Sequence, residues 1–343
     1  MASLGTMKNQ RIRFAWPCLV ALALVAGSGL RCLPAESQPV DGLNAAEKAY
    51  DEYDYPKAIQ LANETANANP QDAQIQLLLT KAHLELQQYD AAIKSAERAV
   101  AIDPKSSVYH EWLGRSYGEK ADHSSFMTAL GFAKKTRKEF QAAVDYDWRN
   151  FTARQAVIEF DCAAPAMAGG GEDKAIPEIA QLAALDAAEG HYAQGNCRRQ
   201  KKDFSVTDVE FNKALQANLK SADRVFDIGD YAVRHEEPEM LLAVADLGAK
   251  LAPSDPRPQF YRAVAFVLKK QNSADADKLL QEYIKQVPSR SGYPRATTAH
   301  YWLGQLFENQ HNEASARAEY EAALKQDPKN KSAQEALKKL KKG

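Results

Sequence analysis

From residue 41 to the end of the chain, apolar and small residues return three and four positions apart in helix-length runs. That spacing places a stripe of apolar side chains along one side of each helix. The runs also repeat one another. Ala58, Ala62 and Pro70 return 34 residues later as Ala92, Ala96 and Pro104, inside YDYPKAIQLANETANANP and QYDAAIKSAERAVAIDP. Each stretch reads as a turn, an amphipathic helix and a proline that stops it. WLGRSY at residues 112–117 returns as WLGQLF at residues 302–307, and EYEAALKQDPKN closes the last pair of helices at Pro328.

These residues resemble the tetratricopeptide repeat, a helix-turn-helix unit with a Leu-Gly-x-x-Tyr core in its first helix. In that family the second helix carries small residues and an aromatic, then ends at a proline. The pattern has a packing logic. Gly114, Gly304, Ala92 and Ala316 let two helices approach closely, while Leu113, Tyr117, Leu303 and Tyr320 fill the space between hairpins. One hairpin cannot enclose its apolar stripe alone, so neighbours stack. The register gives about eight units, starting near residues 39, 73, 107, 151, 188, 222, 256 and 297. The resemblance therefore implies an all-α fold, a right-handed superhelical solenoid over residues 41–343.

Three segments depart from the unit length. The third unit is about ten residues too long, near residues 118–136, which implies an extended second helix or a protruding hairpin. The fourth carries a glycine-rich loop near residues 163–174, and SRSGYPRA precedes the eighth. The block from FAKKTRKEFQAAVDYDWRN through GGGEDKA looks similar to a bacterial exported subgroup of the family. Residues 330–342 read as a capping helix, with Ala333, Leu337 and Leu340 on one side and lysines on the other.

The N-terminus has a different character. Lys8, Arg11 and Arg13 precede an apolar run at residues 14–26, followed by Gly27, Ser28 and Gly29. A cationic start, a short apolar core and a small-residue exit form a secretory signal. Residues 1–30 are expected to be that signal or an uncleaved anchor, with residues 31–40 as a linker. Cleavage fits after Ser28 or Ala35, and Arg31 stands where lipidation of Cys32 would need a small residue. The expected location is the periplasm or cell envelope, and any membrane contact runs through this segment alone.

Charge and chemistry narrow the function. Basic and acidic residues number 44 and 45, for a net charge of −1. That balance gives no basic face for nucleic acid. The lysines around Lys134 and at the C-terminus read as solvated helix faces. Gly169, Gly170 and Gly171 lack the Lys-Ser/Thr and the preceding strand of a phosphate loop, and read as a flexible connection. No two histidines have the spacing of a helical metal site, so no metal and no cofactor are expected. Cys162 falls late in the first helix of the fourth unit and Cys197 in the first helix of the fifth. They read as two buried thiols, or as one disulfide in an oxidising compartment.

The resemblance also implies a ligand surface, because first helices of such arrays line a concave groove. In units five to eight the fifth slot of that helix is aromatic: Tyr192, Phe226, Phe260 and Tyr301. The rings either pack between helices or form a ladder for an extended peptide. Asn196, Arg199, Asp230, Arg234, Gln305 and Asn309 fall in adjacent lining slots. The carboxylate clamp of chaperone-binding relatives needs Lys and Asn in early slots held here by Leu77, Lys81, Glu111 and Arg115, so that set is incomplete. The expected function is a non-enzymatic exported scaffold that binds a protein or peptide through its groove. The alternative is a structural component that self-associates.

Overall fold

In a computed structural model of the chain, residues 39–288 and 292–340 are described. Among them lie seventeen α-helices and one short 3₁₀ turn. The signal or anchor and the linker expected before residue 39 lie outside the described residues.

The helices pair in chain order. The first four pairs are α1 (Pro39–Asp51) with α2 (Tyr55–Ala68), α3 (Ala73–Glu85) with α4 (Tyr89–Ile102), α5 (Ser107–Asp122) with α6 (Phe126–Tyr146), and α7 (Phe151–Ala163) with α8 (Glu172–Leu185). The next four are α9 (Ala187–Gln200) with α10 (Phe204–Gln216), α11 (Ala222–His235) with α12 (Pro238–Leu251), α13 (Arg257–Lys269) with α14 (Ser273–Gln286), and α15 (Ala296–Asn309) with α16 (Glu313–Gln326). A last helix, α17 (Lys331–Leu340), packs on α16. These eight hairpins start within one residue of the expected positions, and each touches its neighbours along the chain. The residues at 39–340 thus form an all-helical solenoid.

Local chemistry starts and stops the helices. Asp72 accepts hydrogen bonds from the N–H groups of Gln74 and Ile75 ahead of α3. Asn150 accepts from Ala153 ahead of α7, and Asn312 from Ser315 ahead of α16. Each cap satisfies a donor that the first turn of a helix leaves unpaired.

Three glycines of the first helices sit against a ring on the second helix of the same hairpin. A Cβ at Gly114 would lie 2.6 Å from Phe140 on α6, and one at Gly195 would lie 2.5 Å from Phe211 on α10. Gly304 is pressed as closely against Tyr320. In these three units a missing Cβ on one helix seats an aromatic on the other.

The core is uneven along the array. From Ala188 to Leu306 a single continuous cluster runs through units five to eight, with Phe211, Phe226, Tyr231, Phe260, Tyr261 and Tyr283 enclosed. Units one to four are held by smaller, separate clusters. One of them contains Ile158, Leu182 and the two cysteines, at the seam between the fourth and fifth units.

The long third unit is made by two lengthened helices, of 16 and 21 residues, against 13 or 14 in every other pair. Phe126 and Met127 stand exposed at the tip of that hairpin. The glycine-rich loop of the fourth unit is ordered by specific contacts. A 3₁₀ turn at Ala166–Ala168 leads to Gly169 at φ 100° and Gly171 at φ 149°, values that disfavour a side chain. The Gly171 N–H donates to the Asp161 carbonyl at 2.8 Å, and Lys174 Nζ donates to the Gly169 carbonyl at 2.6 Å. The expected flexible connection is a tight turn.

Candidate functional site

Residues from both ends of the array and its middle line one concavity of about 1870 Å³. Its central wall comes from the first helices of units three to five, with Trp112 and Arg115 on α5, Gln155 and Glu159 on α7, and Tyr192 and Asn196 on α9. The geometry follows from the repeat. Arg115 comes directly after Gly114, and Asn196 directly after Gly195. The glycine faces the second helix, so the residue after it points toward the groove. Lys81 on α3 and Glu159 on α7 hold the corresponding place in their own units.

The wall is polar and internally braced. Two cations lie over Trp112: Lys81 Nζ is 5.1 Å and the Arg115 guanidinium 5.2 Å from its ring centre. Arg115 also pairs with the buried Glu111, which accepts a second bond from Asn150. Gln155 donates to both the carbonyl and the carboxylate of Glu189, and Arg224 reaches the same carboxylate at 2.8 Å. Burial raises the Glu189 carboxyl above its ordinary value, opposed by Arg224 and Gln155. The Tyr192 hydroxyl donates to Asp227, which also pairs with Arg199 at 3.1 Å. Burial, with Asp227 adding to it, drives that hydroxyl well above the ordinary tyrosine value, so it stays a donor.

The ten residues expected to line the groove have several fates. Tyr192 and Asn196 do line the concavity. Phe226 and Phe260 do not: they are 1% and 0% exposed, within the continuous core. Phe226 stacks on Tyr261 with the Arg257 guanidinium 3.9 Å from its ring centre, and Phe260 packs on Tyr283. Tyr301 is half-buried between Trp302 and Tyr320. Of the two readings of the ladder, packing is what Phe226, Phe260 and Tyr301 do, each against the second helix of its own hairpin.

The polar slots divide the same way. Asp230 accepts from the Tyr261 hydroxyl at 2.8 Å, Gln305 donates to the Tyr320 hydroxyl, and Asn309 donates to the Val267 carbonyl at 3.0 Å. These side chains tie hairpins together. Arg199 is held by Asp227, and Arg234 is exposed.

Cys162 and Cys197 form a disulfide between α7 and α9, with Cα atoms 5.3 Å apart. Of the two readings of these cysteines, the structure has the disulfide and not two separate buried thiols. First helices of neighbouring units run side by side, and the two slots face each other. Glu159 was missed as a lining residue. The signal was its place one unit after Lys81 and Arg115, hidden by the lengthened third unit that breaks the spacing.

Among the described residues no helix is long and apolar enough to cross a membrane, and no group of His, Cys, Asp and Glu is arranged to hold a metal.

Comparison with known proteins bears on the repeat. Family models described as tetratricopeptide repeat match residues 49–115 and 267–331. No curated protein is similar enough to the chain to match it. A thermophilic tetratricopeptide-repeat protein of Thermus thermophilus is similar in structure over 67% of this chain and 100% of that one, at 17% identity and a TM-score of 0.45. PilF of Pseudomonas aeruginosa is similar over 78% of this chain and 97% of its own, at 12% identity and a TM-score of 0.44. A tetratricopeptide-repeat protein from Parabacteroides merdae covers 88% of this chain and 98% of its own, at 11% identity and a TM-score of 0.39. With family models matching toward both ends of an array of eight helical hairpins, the chain carries tetratricopeptide repeats.

Proposed function

We propose that this protein is an exported adaptor of the bacterial cell envelope that holds a segment of another protein in its concavity. Tetratricopeptide repeats mediate protein–protein interaction, and their fold is generally a non-catalytic scaffold. The observation that carries the proposal is the concavity of about 1870 Å³, lined by successive first helices. A groove that follows a solenoid presents one slot per unit, which suits an extended chain with a side chain at regular intervals.

Two features support export. The cationic start and short apolar run at residues 8–26 have the form of a secretory signal. The Cys162–Cys197 bond suits an oxidising compartment, since thiols stay reduced in the cytosol.

The test places a photo-crosslinking residue at Gln155, in the concavity, or at the exposed Val209 on α10. A partner captured in living cells from position 155 and absent from position 209 is the expected result. Capture from position 209 alone would overturn the groove reading. A fusion of residues 1–40 to a reporter active only outside the cytoplasm tests export separately, and a silent reporter would remove it.

A further inference from the structure

We propose that the partner segment carries a basic side chain, lysine or arginine, that enters between α7 and α9 and is held by Glu159 and Asn196. This rests on the peptide-binding reading above and specifies its chemistry.

The first argument is charge. Six carboxylates line the concavity against three guanidiniums, those of Arg115, Arg224 and Arg295. All three guanidiniums are already committed. Arg115 pairs with Glu111 at 3.0 Å, Arg224 with Glu189 at 2.8 Å and Arg295 with Asp327 at 3.8 Å. Glu111 and Glu189 are buried behind the wall, so two of the three cations are spent on acids outside the lining. The surface left to a ligand is acidic, and it complements a basic segment.

The second argument is an unpartnered atom. Asn196 is 5% exposed, lines the concavity, and its Oδ1 accepts no hydrogen bond. Leaving a buried acceptor empty costs about 1–3 kcal/mol. Its neighbour, the Tyr192 hydroxyl, is committed to Asp227 at 2.9 Å and cannot serve it. The same side chain bonds the Tyr192 hydroxyl, which holds the amide in place and leaves its Oδ1 as the open acceptor.

The third argument is position. Glu159 and Asn196 hold matching places on adjacent first helices. Glu159 is open to solvent and makes no hydrogen bond or ion pair among the described residues. The nearest cations that act on it, Arg199 and Arg115, are themselves paired with Asp227 and Glu111. Solvent reaches the carboxyl, yet the surrounding walls of the concavity desolvate it and raise it above the ordinary value, with Asp227 adding to the rise and Arg199 and Arg115 opposing it. The disulfide clamps these helices where the pair sits: Cys197 follows Asn196 directly, and Cys162 is three residues beyond Glu159. An ammonium or guanidinium placed there neutralises Glu159 and donates an N–H to Asn196 Oδ1. The charge preference is opposite to that of a carboxylate clamp.

The test is selection of random 12-residue peptides on phage against the oxidised protein, followed by affinity measurement with a selected synthetic peptide. Enrichment of Lys or Arg at one position is expected. Glu159→Gln should then weaken the peptide about tenfold, the scale of one charge-assisted hydrogen bond, and Glu159→Lys should shift selection toward acidic peptides. Asn196→Ala should weaken it too, measured at a temperature where its melting curve shows the variant folded, because the same side chain also bonds the Tyr192 hydroxyl. Melting curves of the Glu159 variants confirm that they fold. Peptides that a bulky cross-link at Gln155 displaces, but that show no basic preference or keep it in Glu159→Lys, would sink this inference and leave the groove reading intact. Failure to select any peptide, or binding indifferent to every concave change, would overturn both.

Discussion

Both N–H groups on one edge of the Arg137 guanidinium bond to the Asp161 carboxylate, at 2.7 and 2.9 Å, and that carboxylate is completely enclosed. The pair joins α6, the longest helix, to α7. The backbone of the same aspartate receives the Gly171 N–H, so this residue also anchors the glycine turn. Removing one partner of a buried ion pair strands the other charge. Arg137→Ala should therefore destabilise the array by about 3–5 kcal/mol, read by urea unfolding. Arg137→Met combined with Asp161→Leu should recover most of that loss. A double variant as unstable as the single one would show that local packing, and not a stranded charge, sets the cost.

The disulfide makes a second prediction. Its loop spans 35 residues and lies at the seam where small clusters give way to the continuous core. Closing such a loop restricts the unfolded chain and stabilises by about 2–4 kcal/mol. Cys162→Ser should lower the unfolding free energy by that amount. Alkylation of the protein without reductant should leave Cys162 and Cys197 unlabelled, and full labelling of both would contradict the bond.

Packing of the aromatic slots makes a third. Phe260→Ala empties the centre of the continuous core and should cost about 3–5 kcal/mol, measured as a fall in the melting temperature. The affinity of a groove-bound peptide at a temperature where the variant is folded should stay unchanged. A large loss of affinity with little loss of stability would return Phe260 to the ligand surface.

The junction before the eighth unit should respond to acid. Burial pushes the Asp255 carboxyl up, but bonds from the Arg257 side chain and backbone and from the Tyr293 hydroxyl outweigh it and hold the carboxyl below 3.8. A carboxyl depressed by folding stabilises above its unfolded value and loses that contribution as pH falls through its folded value. Asp255→Asn should therefore be less stable than the parent by a constant margin above about pH 4, and the margin should close below it. Unfolding curves between pH 2.5 and 7 check this, and a margin that widens in acid would reverse the assigned sign.

By itself the sequence determined the repeat, the number of hairpins and their starts. Those depend on local matters: three-and-four spacing, caps such as Asp72 and Asn150, and, in units three, five and eight, a glycine opposite a ring. It also located the lengthened third unit and the irregular fourth. Tertiary structure alone decided which side of each first helix meets solvent and which meets the next hairpin. That depends on the rotation between successive units, a long-range property spread over every interface. The packing of the units puts Phe226 and Phe260 in the core and leaves Glu159 and Asn196 on the groove. It also settles the two cysteines, because a bond between neighbouring helices requires their slots to face each other, and spacing along the chain leaves that open.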